Sequence, residues 1–110
     1  MYAIRENKRV LNDGTEITTF SRDIKGSNLV QIEAGTSGFK GGDTDMGGRT
    51  YFRIENKGAT DISVFTRNDR WGITEELEVF LGGDSELVTI IQSLKFIVRV
   101  LEEQSLETSD

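Results

Sequence analysis

Residues 84–104 read DSELVTIIQSLKFIVRVLEEQ, and this stretch decides the fold. Leu87, Ile90, Ile91, Leu94, Ile97, Val98 and Leu101 recur at the three- and four-residue spacing of one helical face. Asp84 or Ser85 supplies an N-cap, and Glu86 puts negative charge in the first turn, where the helix dipole favours it. The pattern predicts a long helix to about Gln104, with residues 105–110 (SLETSD) as a frayed tail. Burying these aliphatic side chains at ~1.5–3 kcal/mol each makes helix-on-sheet packing the main stabilising contact, largely offset by conformational entropy. Leu94→Asp is therefore expected to unfold the domain. Val88, Phe96 and Val100 fall on a flank of the same helix. They extend a wide face covered by loops, or they form the surface of a homodimer.

Upstream of the helix the periodicity changes to that of strands. Asn12-Asp13-Gly14 is a hairpin signal between Val10-Leu11 and the β-branched run Ile17-Thr18-Thr19-Phe20. Lys25-Gly26-Ser27-Asn28 marks a further turn, after which Val30, Ile32 and Ala34 alternate onto one face. In Thr50–Glu55, Tyr51, Arg53 and Glu55 lie opposite Thr50, Phe52 and Ile54. Two more strands follow, with Ile62, Val64 and Thr66 on one side of the first and Leu77, Val79 and Leu81 alternating in the second. The reading is a single α+β domain over residues 1–104. It has a mainly antiparallel sheet of five or six strands and one long C-terminal helix packed on one face.

Composition excludes several chemistries. The 110 residues contain no cysteine and no histidine, which removes disulfides, thiolate nucleophiles, zinc clusters and histidine acid–base catalysis. No segment reaches the apolar length of a membrane span, and the N-terminus MYAIRENKRV lacks the core of a signal peptide, so a cytoplasmic location is expected. The net charge of -6 is uneven. Residues 1–72 hold eleven Lys/Arg against ten Asp/Glu, and residues 73–110 hold two against nine. No basic stripe marks a binder of double-stranded nucleic acid. The acidic end serves solubility or faces a basic partner.

Six of the twelve glycines fall between Gly35 and Gly48, in GTSGFKGGDTDMGG. The loop is a plain connection, a nest of backbone N–H groups for an anion, or a divalent-cation site using Asp43 and Asp45. A second glycine turn, Gly82-Gly83, joins the last strand to the helix and Ser85, the arrangement of a helix N-terminal anion site, although Asp84 competes as a cap. Arg49 and Arg53 supply cations beside the loop, while Phe39, Tyr51 and Trp71 offer flat surfaces for a base. The expected ligand-binding set is Phe39, Lys40, Gly41, Gly42, Gly47, Gly48, Arg49, Tyr51, Arg53, Trp71, Gly82, Gly83 and Ser85. No cofactor is called for. Neither Ser37 nor Ser85 has a base partner in the sequence, and binding is favoured over turnover.

The run EAGTSGFKGGDTDMGGRTYFRIENKGATDISV (residues 33–64), with FLGGDSELVTIIQSLKFIVRVLEEQ (80–104), resembles small proteins carried by bacteriophages and other mobile elements of bacteria. There a GTTG-type turn, a GGD…GGRTYFR block and an LGGD…L helix recur together. Where such proteins often have Gly-His, this chain has Asp45-Met46, so no role of that histidine carries over. The resemblance implies a setting in which small proteins blunt host defences. The first expectation is a sponge that sequesters a phosphorylated, nucleotide-derived immune signal, as Thoeris and CBASS sponge proteins do. The alternative is an acidic inhibitor that covers a host defence protein, as anti-CRISPR proteins do. A metal-dependent nucleotide hydrolase comes third.

Overall fold

A computed structural model describes residues 4–25, 29–39 and 47–108. Strands β1 (Arg5–Val10), β2 (Glu16–Lys25), β3 (Leu29–Thr36) and β4 (Thr50–Asn56) form an antiparallel four-stranded sheet in that order. The β1–β2 turn is built as its sequence implies. Gly14 adopts φ 89°, its N–H bonds Leu11 O at 2.9 Å, and the Asp13 carboxylate accepts from Thr15 N.

β5 (Ile62–Asn68) and β6 (Thr74–Leu81) pair only with each other, so the strands divide into sheets of four and two. The six antiparallel strands and the C-terminal helix of the expected α+β fold are all present, with the strands shared between two sheets. Alternation fixes a strand's faces but not its neighbour. After β4, Lys57 N–H bonds Leu29 O at 3.1 Å, and the Asn56 carboxamide donates to Thr60 O at 2.7 Å. These bonds turn the chain off the line of β4 before β5 begins. The hairpin leaves the body as an arm. Ile62 and Leu81 at its base are half-buried, whereas the strands beyond Ser63 are exposed up to the Trp71-Gly72 turn.

Helix α1 (Asp84–Thr108) lies mainly over β3 and secondarily over β2. It runs through Ser105 to Thr108, beyond the expected stop at Gln104, with the Ser105 hydroxyl bonded to Leu101 O at 2.7 Å. The core unites Ile24, Val30, Ile32 and Ala34 of the sheet with Phe96, Ile97 and Val100 of the helix. The side of α1 turned inward therefore coincides with the expected stripe only in part: Ile97 is buried and Ile90 and Leu101 are half-buried. Small Thr89 and Ser93 let the helix settle on the sheet, with Ser93 Oγ bonded to Thr89 O at 2.7 Å. Phe96 and Val100 are buried beside them, while Leu87, Ile91, Leu94 and Val98 are exposed. A dimer surface made of Val88, Phe96 and Val100 is thereby excluded, because only Val88 of the three is accessible. Leu94 is 49% exposed, so the expectation that Leu94→Asp unfolds the domain also falls.

Gln104 fastens the far end of the helix. Its carboxamide accepts from Thr36 N at 2.8 Å and donates to Thr18 O at 3.0 Å, bridging the main chains of β3 and β2. Among the described residues no helix is long and apolar enough to cross a membrane.

Candidate functional site

The sheet face turned away from α1 carries Arg53, one of the two arginines expected to hold a ligand, and binds it internally. Glu33, on β3, is only 2% exposed. Arg9 reaches it through two bonds of 2.8 and 2.7 Å, Thr19 donates at 2.6 Å, and Arg53 adds bonds of 3.2 Å. Burial pushes the Glu33 carboxyl up, but the hydrogen bonds from Arg9, Thr19 and Arg53 outweigh it and hold the pKa at about 2. Arg53 also pairs with Glu55 at 2.9 Å and donates to Gln31, and the Arg9 guanidinium stacks 5.2 Å above the Tyr51 ring. Two cations and two carboxylates balance, leaving little attraction for an anion.

Arg49 is likewise engaged. Its Nε meets Asp13 Oδ2 at 2.6 Å and its Nη1 donates to Gly47 O at 3.0 Å, while its backbone N–H bonds Ser37 Oγ. The Arg49 guanidinium is the main cause that lowers the Asp13 carboxyl to about 2. Gly48 packs against Gly38 O, where a side chain has no room. Lys40, Gly41, Gly42, Asp43 and Asp45 lie outside the described residues. Among the described residues, no group of three acidic, histidine or cysteine side chains is placed to hold a metal ion.

The Gly82-Gly83 turn is an acidic junction. Gly82 N–H already bonds Asp61 O at 3.1 Å, the Glu86 carboxylate accepts from Asp61 N at 3.1 Å, and the Asp61 and Glu86 side chains crowd the two glycines. Carboxylates thus occupy the space expected for a phosphate beside Ser85. Trp71 sits at the tip of the arm, under the Arg70 guanidinium at 4.8 Å, the length of a hairpin from that junction. Ten of the thirteen expected positions are described, and they are dispersed over the loop exit, the polar sheet face and both ends of the arm, not gathered in one pocket.

A different group of cations does converge. Arg22 on β2 projects from the same face as Phe20 and Ile24, toward the helix. Arg22, Lys95 and Arg99, with Gln92, ring a cleft of about 340 Å³ floored by Ile24 and Phe96. Among the described residues no carboxylate lines it, although Arg99 also reaches Glu103 at 3.2 Å beyond its rim. The Arg22 guanidinium lies 5.8 Å from the Phe96 ring centroid. Its Nε is buried with no hydrogen-bond partner among the described residues. A buried donor left without an acceptor is costly, and a bound oxyanion satisfies it. Arg99 also borders a neighbouring, more apolar cleft of about 610 Å³ with Phe39, Leu101 and Leu106. Phe39 is the one expected aromatic that adjoins this cationic region.

Sequence reasoning missed Arg22, Gln92, Lys95 and Arg99. Their signal was present, since Gln92, Lys95 and Arg99 recur at three and four residues along one side of α1. Arg22 also interrupts an apolar alternation between Phe20 and Ile24.

No family model, no curated protein and no solved structure matches this chain.

Proposed function

We propose that this protein binds a phosphorylated small molecule and releases it unchanged. The phosphate sits between Arg22, Lys95 and Arg99, and a flat or apolar portion extends along Arg99 to Phe39. The observation that carries this reading is the buried Nε of Arg22, without a hydrogen-bond partner among the described residues, in a cleft lined by two further cations. A forked guanidinium and a flexible ammonium suit phosphate oxygens, and the cleft falls within the usual size range of small-ligand sites. In the phage setting that the resemblance implies, a nucleotide-derived immune signal of the host is the ligand class, and the protein acts as a sponge for it.

The test is calorimetric titration with cyclic dinucleotides, ADP-ribose and nucleoside diphosphates. Binding of at least one is expected. Arg22→Ala and Lys95→Ala each weaken it about 10–100-fold, the scale of a lost charged hydrogen bond, and Arg49→Ala leaves it unchanged. Mass spectrometry of denatured complex should recover the ligand intact. Absence of heat with every probe, or equal loss in Arg49→Ala and Arg22→Ala, rejects the reading.

Direct binding to a host defence protein is the second reading, and the arm favours it. Phe65, Phe80 and Glu78 share one exposed side of the hairpin, an apolar and acidic surface suited to a basic partner. Glu78→Lys abolishes capture of such a partner if this reading holds, and leaves ligand binding at Arg22 intact.

A further inference from the structure

Among the described residues, two uncharged apolar surfaces lie exposed. The first is on the arm. By strand alternation and register, Val64, Thr66, Leu77 and Val79 share one face of the β5–β6 hairpin, and all four are exposed. The second borders α1. The helix covers β3 and β2, leaving Phe52 on β4 52% exposed although it projects from the helix-facing side, opposite Ala34. Leu87, Ile91, Leu94 and Val98 continue the apolar surface outward along the helix. Phe52 and these four helix residues, none of them charged, bound the second surface, the trough.

The accessible area of the chain as a whole is larger than a compact fold of its mass exposes. The chain exposes 7705 Å², whereas a compact chain of 12.3 kDa exposes about 6,100 Å². Its radius of gyration is 15.4 Å, against about 13 Å for a compact fold of this length. The surplus of about 1,600 Å² exceeds the ~800 Å² that each partner contributes to a standard interface. An isolated two-stranded hairpin is also marginal in water, so an arm with a well-formed turn calls for a surface to rest on. The Asp69 carboxylate builds that turn, accepting from Trp71 N at 2.8 Å and Ile73 N at 2.9 Å.

We infer that a second copy of this chain lays its arm in the trough, and that the exchange is mutual. Val64, Leu77 and Val79 of each protomer pack against Phe52, Leu94 and Val98 of the other. Both surfaces belong to one chain, both are neutral, and a two-fold arrangement buries both at once with nothing left to propagate. Neutral faces desolvate without the penalty that charges carry. The ion pairs of Arg67 with Glu75 and Glu76 stay outside at the far face and rim of the arm. This inference is independent of the ligand reading, because the Arg22 cleft opens on the β2 side of α1 and the trough on the β4 side.

Light scattering coupled to gel filtration tests it on the intact protein. The wild type should run at about twice 12.3 kDa, and Val79→Asp should run as a monomer with unchanged circular dichroism. A monomeric wild type at high micromolar concentration overturns the inference, and so does a dimeric Val79→Asp. Because the chain has no cysteine, Val79→Cys and Leu94→Cys variants can be mixed and oxidised. A disulfide-linked heterodimer is expected. Linkage of Leu94→Cys only to itself would mean helix-to-helix contact and would overturn the arm-in-trough arrangement.

Discussion

The four-stranded sheet and the β5–β6 arm are made of strands with the same alternating pattern, yet their fates differ. Val30, Ile32 and Ala34 alternate toward a helix and are buried, Ile32 completely. Val64, Leu77 and Val79 alternate just as cleanly and face water. Periodicity sets which side chains share a face, and burial depends on what is set against that face. In the body the partner is α1 of the same chain. On the arm no element of the same chain, among the described residues, covers that face.

The largest effect expected from breaking this contrast is Phe96→Ala, which removes a buried ring and should cost about 3–5 kcal/mol in urea unfolding. Leu94→Ala, two positions earlier on the same helix, should cost less than about 1.5 kcal/mol in dilute protein. Equal losses at the two positions would mean that the two sides of the helix are equally buried.

Glu33 gives the next effect, which depends on pH. Its carboxyl is held at about 2, against an ordinary 4.5. The unfolded chain therefore takes up the proton first, and the stabilisation present at neutral pH is lost as pH falls from about 5 toward 2. Glu33→Gln should lower stability by about 2 kcal/mol at pH 7, less than for a fully enclosed pair because both arginines are partly exposed. It should also flatten the acid limb of a stability–pH profile. An unchanged acid limb would show that the Arg9–Glu33–Arg53 cluster does not support the sheet.

Gly35→Ala comes third. An added methyl would lie 2.5 Å from Thr18 O and 2.7 Å from Thr19 Cγ2, so β2 must shift, at about 1–3 kcal/mol by thermal melting. The smallest change is expected on the arm. Phe65→Ser should alter monomer stability by no more than about 0.5 kcal/mol, and a larger loss would reveal packing of that face within one chain.

The sequence made the elements legible, and most of their faces with them. Val30, Ile32 and Ala34 were readable because a period of two has one interpretation once a strand is recognised. Helix α1 was readable as a helix but not in its rotation. It is apolar around more than half its circumference, so the 3-4-7 series through Leu87, Leu94 and Val98 competed with Phe96 and Val100 on its flank. The inward side was decided by small residues, Thr89 and Ser93, which carry no hydrophobic signal. The separation of the arm from the sheet was equally hidden, since it depends on hydrogen bonds around Asn56 and Thr60. The carboxylate partners of the expected ligand arginines were hidden for a different reason. Arg49 finds Asp13 and Arg53 finds Glu33, 36 and 20 residues away, and such pairings arise only from strand register. The Arg22 cleft similarly needs β2 and α1 side by side.

Gln104 has a consequence for how such a protein can change over generations. Its carboxamide grips only main-chain groups, Thr36 N and Thr18 O, which every sequence of this fold offers at those positions. The helix end is thus anchored whatever side chains the strands acquire. Drift at residue 22, 95 or 99 can reshape the cleft without moving the frame that carries it.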